Sequence, residues 1–214
     1  MSDEQGGNRF GGRKAEGAAR GGKPLSRARS VAFCGLSIAL LTVSAWVTVP
    51  LGPVPFTLQT MMLAFLVLAF PPREALISVF GYLAIGAVGL PVFSGMRGGL
   101  AALLGPTGGF LIGFGLGACA ALLVLRAWRE PASPAASRAR ELVAAFTLLA
   151  VSYACGWAQL MAVAGLDPTA AFLAGIAPFI LLDVAKTLIG AALARTMRRA
   201  IPALRGAVAG GRTA

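Results

Sequence analysis

The sequence predicts an all-α integral membrane protein, a bundle of six transmembrane helices in one domain. Of the 214 residues, 57% are hydrophobic and only 13% are charged, whereas soluble domains carry roughly 25% charged residues. A soluble chain of this size could not bury so much apolar surface. The apolar residues also fall in several long runs of the kind that cross a bilayer. We therefore expect the chain to lie in a membrane.

Six apolar segments are candidate spans of that bundle. A straight crossing needs about 20 apolar residues. The second and third segments are shorter, so we expect the Pro-rich and Gly-rich segments beside them to complete the crossing. In chain order the candidates are Val31–Val49, Phe56–Phe70, Ala75–Gly89, Thr107–Arg126, Leu142–Gly165 and Ala170–Ala194. Residues 31–195 thus form the predicted membrane domain, and the polar segment 129–141 is expected to be a cytosolic linker.

The distribution of basic residues predicts that both termini are cytoplasmic. With six spans, all but two of the 19 lysines and arginines fall on one side of the membrane, and that side is the cytoplasm by the positive-inside rule. Residues 1–30, rich in glycine and charge, are predicted to be a disordered basic cytoplasmic tail. Residues 196–214 are predicted to be a basic cytoplasmic C-terminal tail. The two exceptions are Arg97 and Lys186.

Composition argues against several classes of function. The chain has no histidine, which disfavours His-based hydrolysis and His-ligated metals. Its cysteines, Cys34, Cys119 and Cys155, are too far apart for a disulfide framework or a paired metal site. No phosphate-binding GxxxxGK[ST] loop occurs. Because the basic residues lie in gaps and tails, nucleic acid is not an expected partner. We expect no catalytic residues, no metal and no cofactor.

Three ionisable residues lie where a bilayer disfavours charge. Asp183 and Lys186 are near the middle of the sixth span, and Arg97 is in the outer segment between the third and fourth. A charge at mid-membrane costs at least about 2.5–3.5 kcal/mol on insertion scales. Asp183 and Lys186 are three residues apart on a helix, so they can pair. The pair could simply satisfy itself, and Arg97 could reach the interface. Together the three would suit a small anionic solute.

Aromatic and neutral polar residues near the outer ends of the spans are further candidates. Trp46, Tyr82, Tyr153 and Trp157 fit an interfacial aromatic belt, and alternatively an aromatic wall against a flat, partly apolar ligand. Gln59 is a neutral polar group in an apolar span and a candidate for ligand hydrogen bonding.

Small residues form two stripes at helical spacing. Gly109, Gly113 and Gly117 on the fourth span predict close packing against another helix of the bundle. Ala28, Ala32, Gly35 and Ala39 form a second small-residue face on the first span, which could contact a partner helix or an internal one.

Two long motifs resemble the BioY family, the biotin-binding substrate components (S components) of energy-coupling-factor (ECF) transporters. They are "PLGPVPFTLQT", residues 50–60, which forms a rigid outer lip between the first two spans, and "GAVGLPVFSGMRGGLAALLGPTGGFLIGF", residues 86–114. The resemblance runs from about Val31 to Ala194.

The resemblance implies biotin uptake by six helices in the bacterial cytoplasmic membrane, with biotin bound near the outer face. It implies energy from a separate transmembrane coupling (T) subunit and cytosolic ABC-type ATPases. The matching ligand contacts are Arg97 and the Asp183/Lys186 pair, and the face that docks the coupling subunit falls on Ala28 and Ala32. On this interpretation Asp183 accepts from the ureido N–H groups of biotin and Lys186 donates to its carbonyl or carboxylate. Arg97 caps the carboxylate.

Other classes of function fit the residues less well. A self-sufficient secondary transporter of a small solute would be favoured by inverted repeats, and no repeat is evident. A transporter of another vitamin is a further alternative. A membrane enzyme would need a nucleophile with a base or a metal cluster, and Asp183 with Lys186 is too small a catalytic set.

Overall fold

The computed structural model describes residues 27–50, 52, 54–128 and 133–201, which fold mainly into α-helices. The helices are α1 (Arg27–Trp46), α2 (Gln59–Ala69), α3 (Pro72–Val88), α4 (Leu100–Leu104), α5 (Gly108–Ala127), α6 (Pro134–Ala164), α7 (Pro168–Gly175) and α8 (Ile180–Ala200). A 3-10 turn covers Ser94–Met96, between α3 and α4.

The Pro-rich stretch that follows α1 forms a short hairpin, which the all-α expectation did not include. Strand β1 (Thr48–Pro50) pairs antiparallel with β2 (Pro55–Thr57), and Val49 lies opposite Phe56. Gly52 has a φ of 109° in the connection, a conformation that glycine adopts without the steric penalty of a Cβ. The predicted lip between the first two spans is therefore a β-hairpin. Its strands can contain prolines because an edge strand need not donate every backbone N–H.

Three of the described helices are each long and apolar enough to cross a bilayer: α1, α5 and α6. Helices α7 and α8 meet at an angle of 51° and qualify together as a fourth segment. The apolar α2 has 11 residues and α3 has 17, fewer than a straight crossing needs. The fold is thus mostly helical, with three to four membrane-capable segments.

Several predicted segment boundaries differ from the structure, beginning with the first two spans: Val49 lies in β1 and Phe56 in β2 instead of in helices. The sixth span, predicted as one segment, is broken between α7 and α8, where Pro178 lacks the N–H that a continuous helix would use. Helix α6 begins at Pro134, inside the predicted linker. Ser133 caps it by accepting a hydrogen bond from the Ala136 amide at 3.2 Å, and proline at the first helical position favours this start.

The predicted tails lie mostly outside the described residues. Residues 1–26 of the N-terminal tail and residues 202–214 of the C-terminal tail are in the undescribed part. Residues 27–30 belong to α1, and α8 continues past residue 195 to Ala200.

The glycine stripe on α5 packs against α6, as predicted. A Cβ at Gly113 would lie 2.6 Å from the Cα atom of Ser152, and one at Gly109 would lie 2.3 Å from the carbonyl oxygen of Cys155. Real Cβ atoms do not approach backbone this closely, so only glycine permits the observed separation of the two helices.

The small-residue face of α1 packs against no other part of the described chain. Ala28, Ala32, Gly35 and Ala39 are all exposed, and a Cβ at Gly35 would meet no atom within 4 Å. The internal-helix alternative for this face is therefore not what the structure shows.

A buried charge cluster joins α2, α6 and α8 near residue 141. Glu141 accepts from Arg195 Nε at 2.8 Å and also pairs with Arg198. Arg198 also donates to the carbonyl of Leu68, near the end of α2, where helix carbonyls lack partners within the helix. The cluster holds three helices together at one end, and the same three helices bring the candidate site together at the other.

Candidate ligand-binding cavity

A cavity opens between the hairpin, the loop before α4 and helices α2, α5, α6 and α8. It encloses about 680 Å³ of empty space, counting its open mouth. Most of its wall is apolar, from Val54, Pro55, Phe56, Phe93, Ala102, Phe110, Leu111, Phe114, Gly175 and Phe179. The polar lining residues are Thr57, Gln59, Thr60, Ser94, Arg97, Thr107, Ser152, Tyr153, Asp183 and Lys186.

Asp183 and Lys186 form a buried ion pair on the first two turns of α8, as their spacing predicts. Asp183 is 5% exposed. Its Oδ1 accepts from Thr60 Oγ1 at 2.9 Å, and its Oδ2 accepts from Tyr153 Oη at 2.5 Å. An ion pair removed from water is tolerated only where hydrogen bonds satisfy its remaining lone pairs and N–H groups. Helices α2 and α6 supply those bonds here.

Lys186 is engaged on three sides. Its Nζ pairs with Asp183, donates to the carbonyl of Thr57 at 2.6 Å, and lies 4.2 Å from the centroid of the Phe56 ring. The β2 strand thus provides both a carbonyl and an aromatic face for this ammonium group. The pair as a whole carries no net charge, so it offers donors and acceptors to a ligand rather than a free cation.

Of the two cations that line the cavity, Arg97 is the one that pairs with no acid among the described residues. It lies on an exposed loop closed by a backbone hydrogen bond from Phe93 N to Arg97 O at 2.9 Å. Its Nε donates to the carbonyl of Ser94 at 3.2 Å. Among the described residues its two terminal nitrogens contact no acceptor. These nitrogens form a planar fork that matches a carboxylate.

The structure brings Gln59 into the cavity wall but places Tyr82 and Trp157 behind it. Gln59 Nε2 donates to Tyr82 Oη at 2.8 Å, and Tyr82 is fully buried. Trp157 donates from Nε1 to the carbonyl of Pro168 at 3.0 Å and packs in a small apolar cluster with Leu160 and Phe179. Neither Tyr82 nor Trp157 is among the residues that line the cavity.

Sequence reasoning missed the partners of the ion pair. Thr60 contacts Asp183 across 123 positions of the chain, and no spacing rule links residues so far apart. Tyr153 was a candidate for the aromatic belt or for a wall against the ligand and it does line the cavity, but its hydrogen bond to Asp183 was not predicted. Thr57 acts through its backbone carbonyl, which leaves no signal in the sequence. Phe56 is one apolar residue among many.

Fold and cavity together define a helical, multi-pass membrane protein with a pre-formed cavity for a small polar ligand. The described residues contain no group of three or more metal-ligating acids and cysteines. The chain belongs to the BioY family, whose family model matches residues 16–203.

Curated relatives agree with this assignment. The chain is 34% identical to the biotin transporter BioY of Thermotoga maritima over 80% of this chain and 96% of the relative. It is 35% identical to the probable biotin transporter BioY of Pyrococcus horikoshii over 75% of this chain and 90% of the relative. It is 37% identical to the biotin transporter BioY of Rhodobacter capsulatus over 81% of this chain and 95% of the relative. All three relatives are named as biotin transporters, the one from Pyrococcus horikoshii as a probable one.

A solved structure shares the fold. The crystal structure of the S-component for biotin from an ECF-type ABC transporter superposes with a TM-score of 0.74. The match covers 82% of this chain and 95% of that chain at 22% sequence identity.

Proposed function

We propose that this chain takes up biotin across the bacterial cytoplasmic membrane as the substrate-binding subunit of an ECF-type transporter. The observation that carries the proposal is that Arg97, Asp183 and Lys186 line one cavity in a chain of the BioY family. The chain acts by binding and has no catalytic residues and no cofactor, with biotin as its transported ligand.

The chemistry of biotin matches the two ends of the cavity. Biotin has a ureido ring with two N–H donors and a carbonyl, an apolar bicycle and a carboxylate. An ionised carboxylate has about four acceptor sites, and Thr60, Tyr153 and Lys186 use three on Asp183. One ureido N–H donates to the remaining site on Asp183, and the N–H of Lys186 that is not used by Asp183 or Thr57 donates to the ureido carbonyl. Because Lys186 is already neutralised, the carboxylate is held by Arg97 at the mouth.

The direct test is ligand binding by the purified chain in detergent, without nucleotide. Biotin, desthiobiotin and unrelated vitamins such as riboflavin and thiamine are titrated in turn. We expect saturable binding of biotin at one site, weaker binding of desthiobiotin, which retains the ureido ring, and none of the others. Tight binding of another vitamin with no biotin binding would refute the proposal.

Replacing Arg97 with methionine is expected to weaken biotin binding by about tenfold or more, since a charge-assisted hydrogen bond contributes about 1.5–3 kcal/mol. Biotinamide, which has the same rings and chain but no carboxylate charge, should lose less than about twofold. Calorimetric titration of both ligands measures the difference. Equal losses for the two ligands would contradict the assignment of the carboxylate to Arg97.

The proposed topology has six crossings with both termini in the cytoplasm. The predicted spans at α2 and α3 reach across with help from the hairpin and from the loop before α4. The basic residues of the tails, together with Arg73 in the first turn of α3 and Arg138 near the start of α6, support this orientation by the positive-inside rule.

Energy is supplied by a transmembrane coupling (T) subunit and cytosolic ABC-type ATPases. The exposed small-residue face of α1 supports docking of the coupling subunit through Ala28 and Ala32, because small residues allow helices to approach closely in a bilayer.

Replacing Ala32 with leucine is expected to prevent assembly with the coupling subunit while biotin binding by the isolated chain stays unchanged. Ala32 is exposed, so the larger side chain meets no atom of its own fold. Co-purification with the coupling subunit and ATPases measures assembly. Ala150→Leu, the same change at an exposed position of α6, is the matched control. Full assembly of Ala32→Leu would show that the partner docks elsewhere.

A self-sufficient secondary transporter is not favoured, because the chain's family and relatives are those of biotin transporters and no internal repeat supports alternating access. Transport of another vitamin is an outcome of the titration above.

A further inference from the structure

A chain of part-buried and buried hydrogen bonds begins at the ion pair and leads away from the cavity. Lys186 Nζ donates to the carbonyl of Thr57 at 2.6 Å, and Thr57 Oγ1 donates to Gln59 Oε1 at 3.2 Å. Gln59 Nε2 in turn donates to Tyr82 Oη at 2.8 Å. Gln59 is 3% exposed and Tyr82 is fully buried, so water does not compete for the bond between these two side chains. Three elements, α8, β2 and α2, are thereby connected to α3.

The same chain continues into the loop that carries Arg97. Tyr82 Oη donates to the carbonyl of Val92 at 3.0 Å, and the next residue, Phe93, donates from its amide to Arg97 O at 2.9 Å. The Phe93 ring packs edge-on against Tyr82, with centroids 5.4 Å apart. A Cβ at Gly86 would lie 2.1 Å from that ring. Tyr82 therefore fixes residues 90–97, the Arg97 loop, both by its hydroxyl and by its ring.

Tyr82 neither lines the cavity nor touches space that a ligand could occupy. Its hydroxyl accepts one hydrogen bond and donates another. Phenylalanine has no hydroxyl and could make neither bond. Removing it would leave Gln59 Nε2 and the Val92 carbonyl buried without partners. The loop would then lose its hydrogen bond to the α3 side of the wall, leaving the bond from Trp46 Nε1 to the Pro91 carbonyl at 2.8 Å as its anchor to the end of α1.

We infer that Tyr82 is a positioning residue for ligand recognition, setting the distance between Arg97 and the Asp183–Lys186 pair so that one ligand contacts both. The inference rests on the proposed function, in which biotin's carboxylate contacts Arg97 and its ureido ring contacts the pair. Tyr82 thus acts on the carboxylate end of the ligand without touching it.

The experiment measures Kd for biotin and for biotinamide with the purified full chain. Tyr82→Phe keeps the ring and removes the hydroxyl, and we expect it to weaken biotin binding by about fivefold to tenfold while biotinamide changes less than about twofold. In an Arg97→Met background, Tyr82→Phe should have no further effect on biotin, since the group it positions is gone. Ser78→Ala is the matched control. It removes a buried hydroxyl on the same helix that bonds only the Glu74 carbonyl, and both affinities should stay unchanged.

A second variant displaces the loop without removing any hydrogen-bonding group. Gly86→Ala places a methyl group against the Phe93 ring and should give the same selective loss for biotin. Because the comparison is a ratio of two affinities on folded protein, a lower yield of either variant does not affect it.

Outcomes separate this inference from the proposed function. If the unaltered chain binds no biotin, the proposed function fails and the inference with it. If biotin binds and Arg97→Met is selective, but Tyr82→Phe and Gly86→Ala weaken both ligands equally or neither, only the inference is overturned. Additive losses in the double variant would likewise overturn it.

Discussion

Replacing Asp183 with alanine is expected to weaken biotin binding by about 100-fold or more. The change removes the acceptor proposed for one ureido N–H group and breaks a buried ion pair, which costs about 3–5 kcal/mol when one partner is lost. Lys186 would be left charged and 7% exposed, with Thr60 and Tyr153 donating to nothing. Calorimetric titration of purified protein with biotin measures the loss, and thermal unfolding in detergent measures the accompanying loss of stability.

Paired variants separate binding from folding at Asp183. Asp183→Asn keeps the shape but removes the charge, and it should lose affinity with Lys186 uncompensated. Asp183→Asn combined with Lys186→Met removes both charges and should recover much of the thermal stability, since neutral replacement of a buried pair is tolerated. It should not recover biotin binding. Biotin affinity within twofold of the unaltered chain in Asp183→Ala would remove Asp183 from the binding site.

Replacing Gly113 with leucine is expected to give a large loss of stability. The new side chain would start 2.6 Å from the backbone of Ser152, and backbone in the middle of the long helix α6 cannot shift as a side-chain end can. Inserting bulk into a packed core costs about 1–3 kcal/mol and occasionally more, and this contact lies at the upper end. We expect a lower melting temperature, by about 10 °C, or failure to purify as a monodisperse species.

Gly35→Ala is the control for that prediction. Gly35 lies on the exposed face of α1 with nothing within 4 Å of a new Cβ, and alanine in a helix is favoured over glycine by about 0.5–1 kcal/mol. Its melting temperature should stay the same or rise slightly. If Gly113→Leu has the same melting temperature as the unaltered chain, the packing of α5 against α6 is looser than the structure describes.

The features predictable from the sequence were those set by local spacing or by transfer energy. Asp183 and Lys186 pair because three residues separate them on a helix. Arg97 shares their cavity, as expected for charges too costly to leave in lipid. The α5 stripe of glycines packs on α6 because small residues at every fourth position leave a flat face.

The features that could not be predicted depend on long-range contacts or on backbone groups. Thr60 meets Asp183 across 123 residues, and Lys186 is held by a carbonyl whose side chain plays no part. The bend between α7 and α8 lies at Pro178. It was not predicted because the residues on both sides are apolar and form one continuous hydrophobic run. The hairpin was not predicted because prolines are rare in β-strands except in edge strands. Its strands have only three residues each.

The most direct test of the central claim is a crystal structure of the chain with biotin bound. The account predicts the ureido ring within hydrogen-bonding distance of Asp183 and Lys186, and the carboxylate within hydrogen-bonding distance of the terminal nitrogens of Arg97. Biotin bound outside this cavity, or bound with its carboxylate against Lys186 and its ring at the mouth, would contradict it.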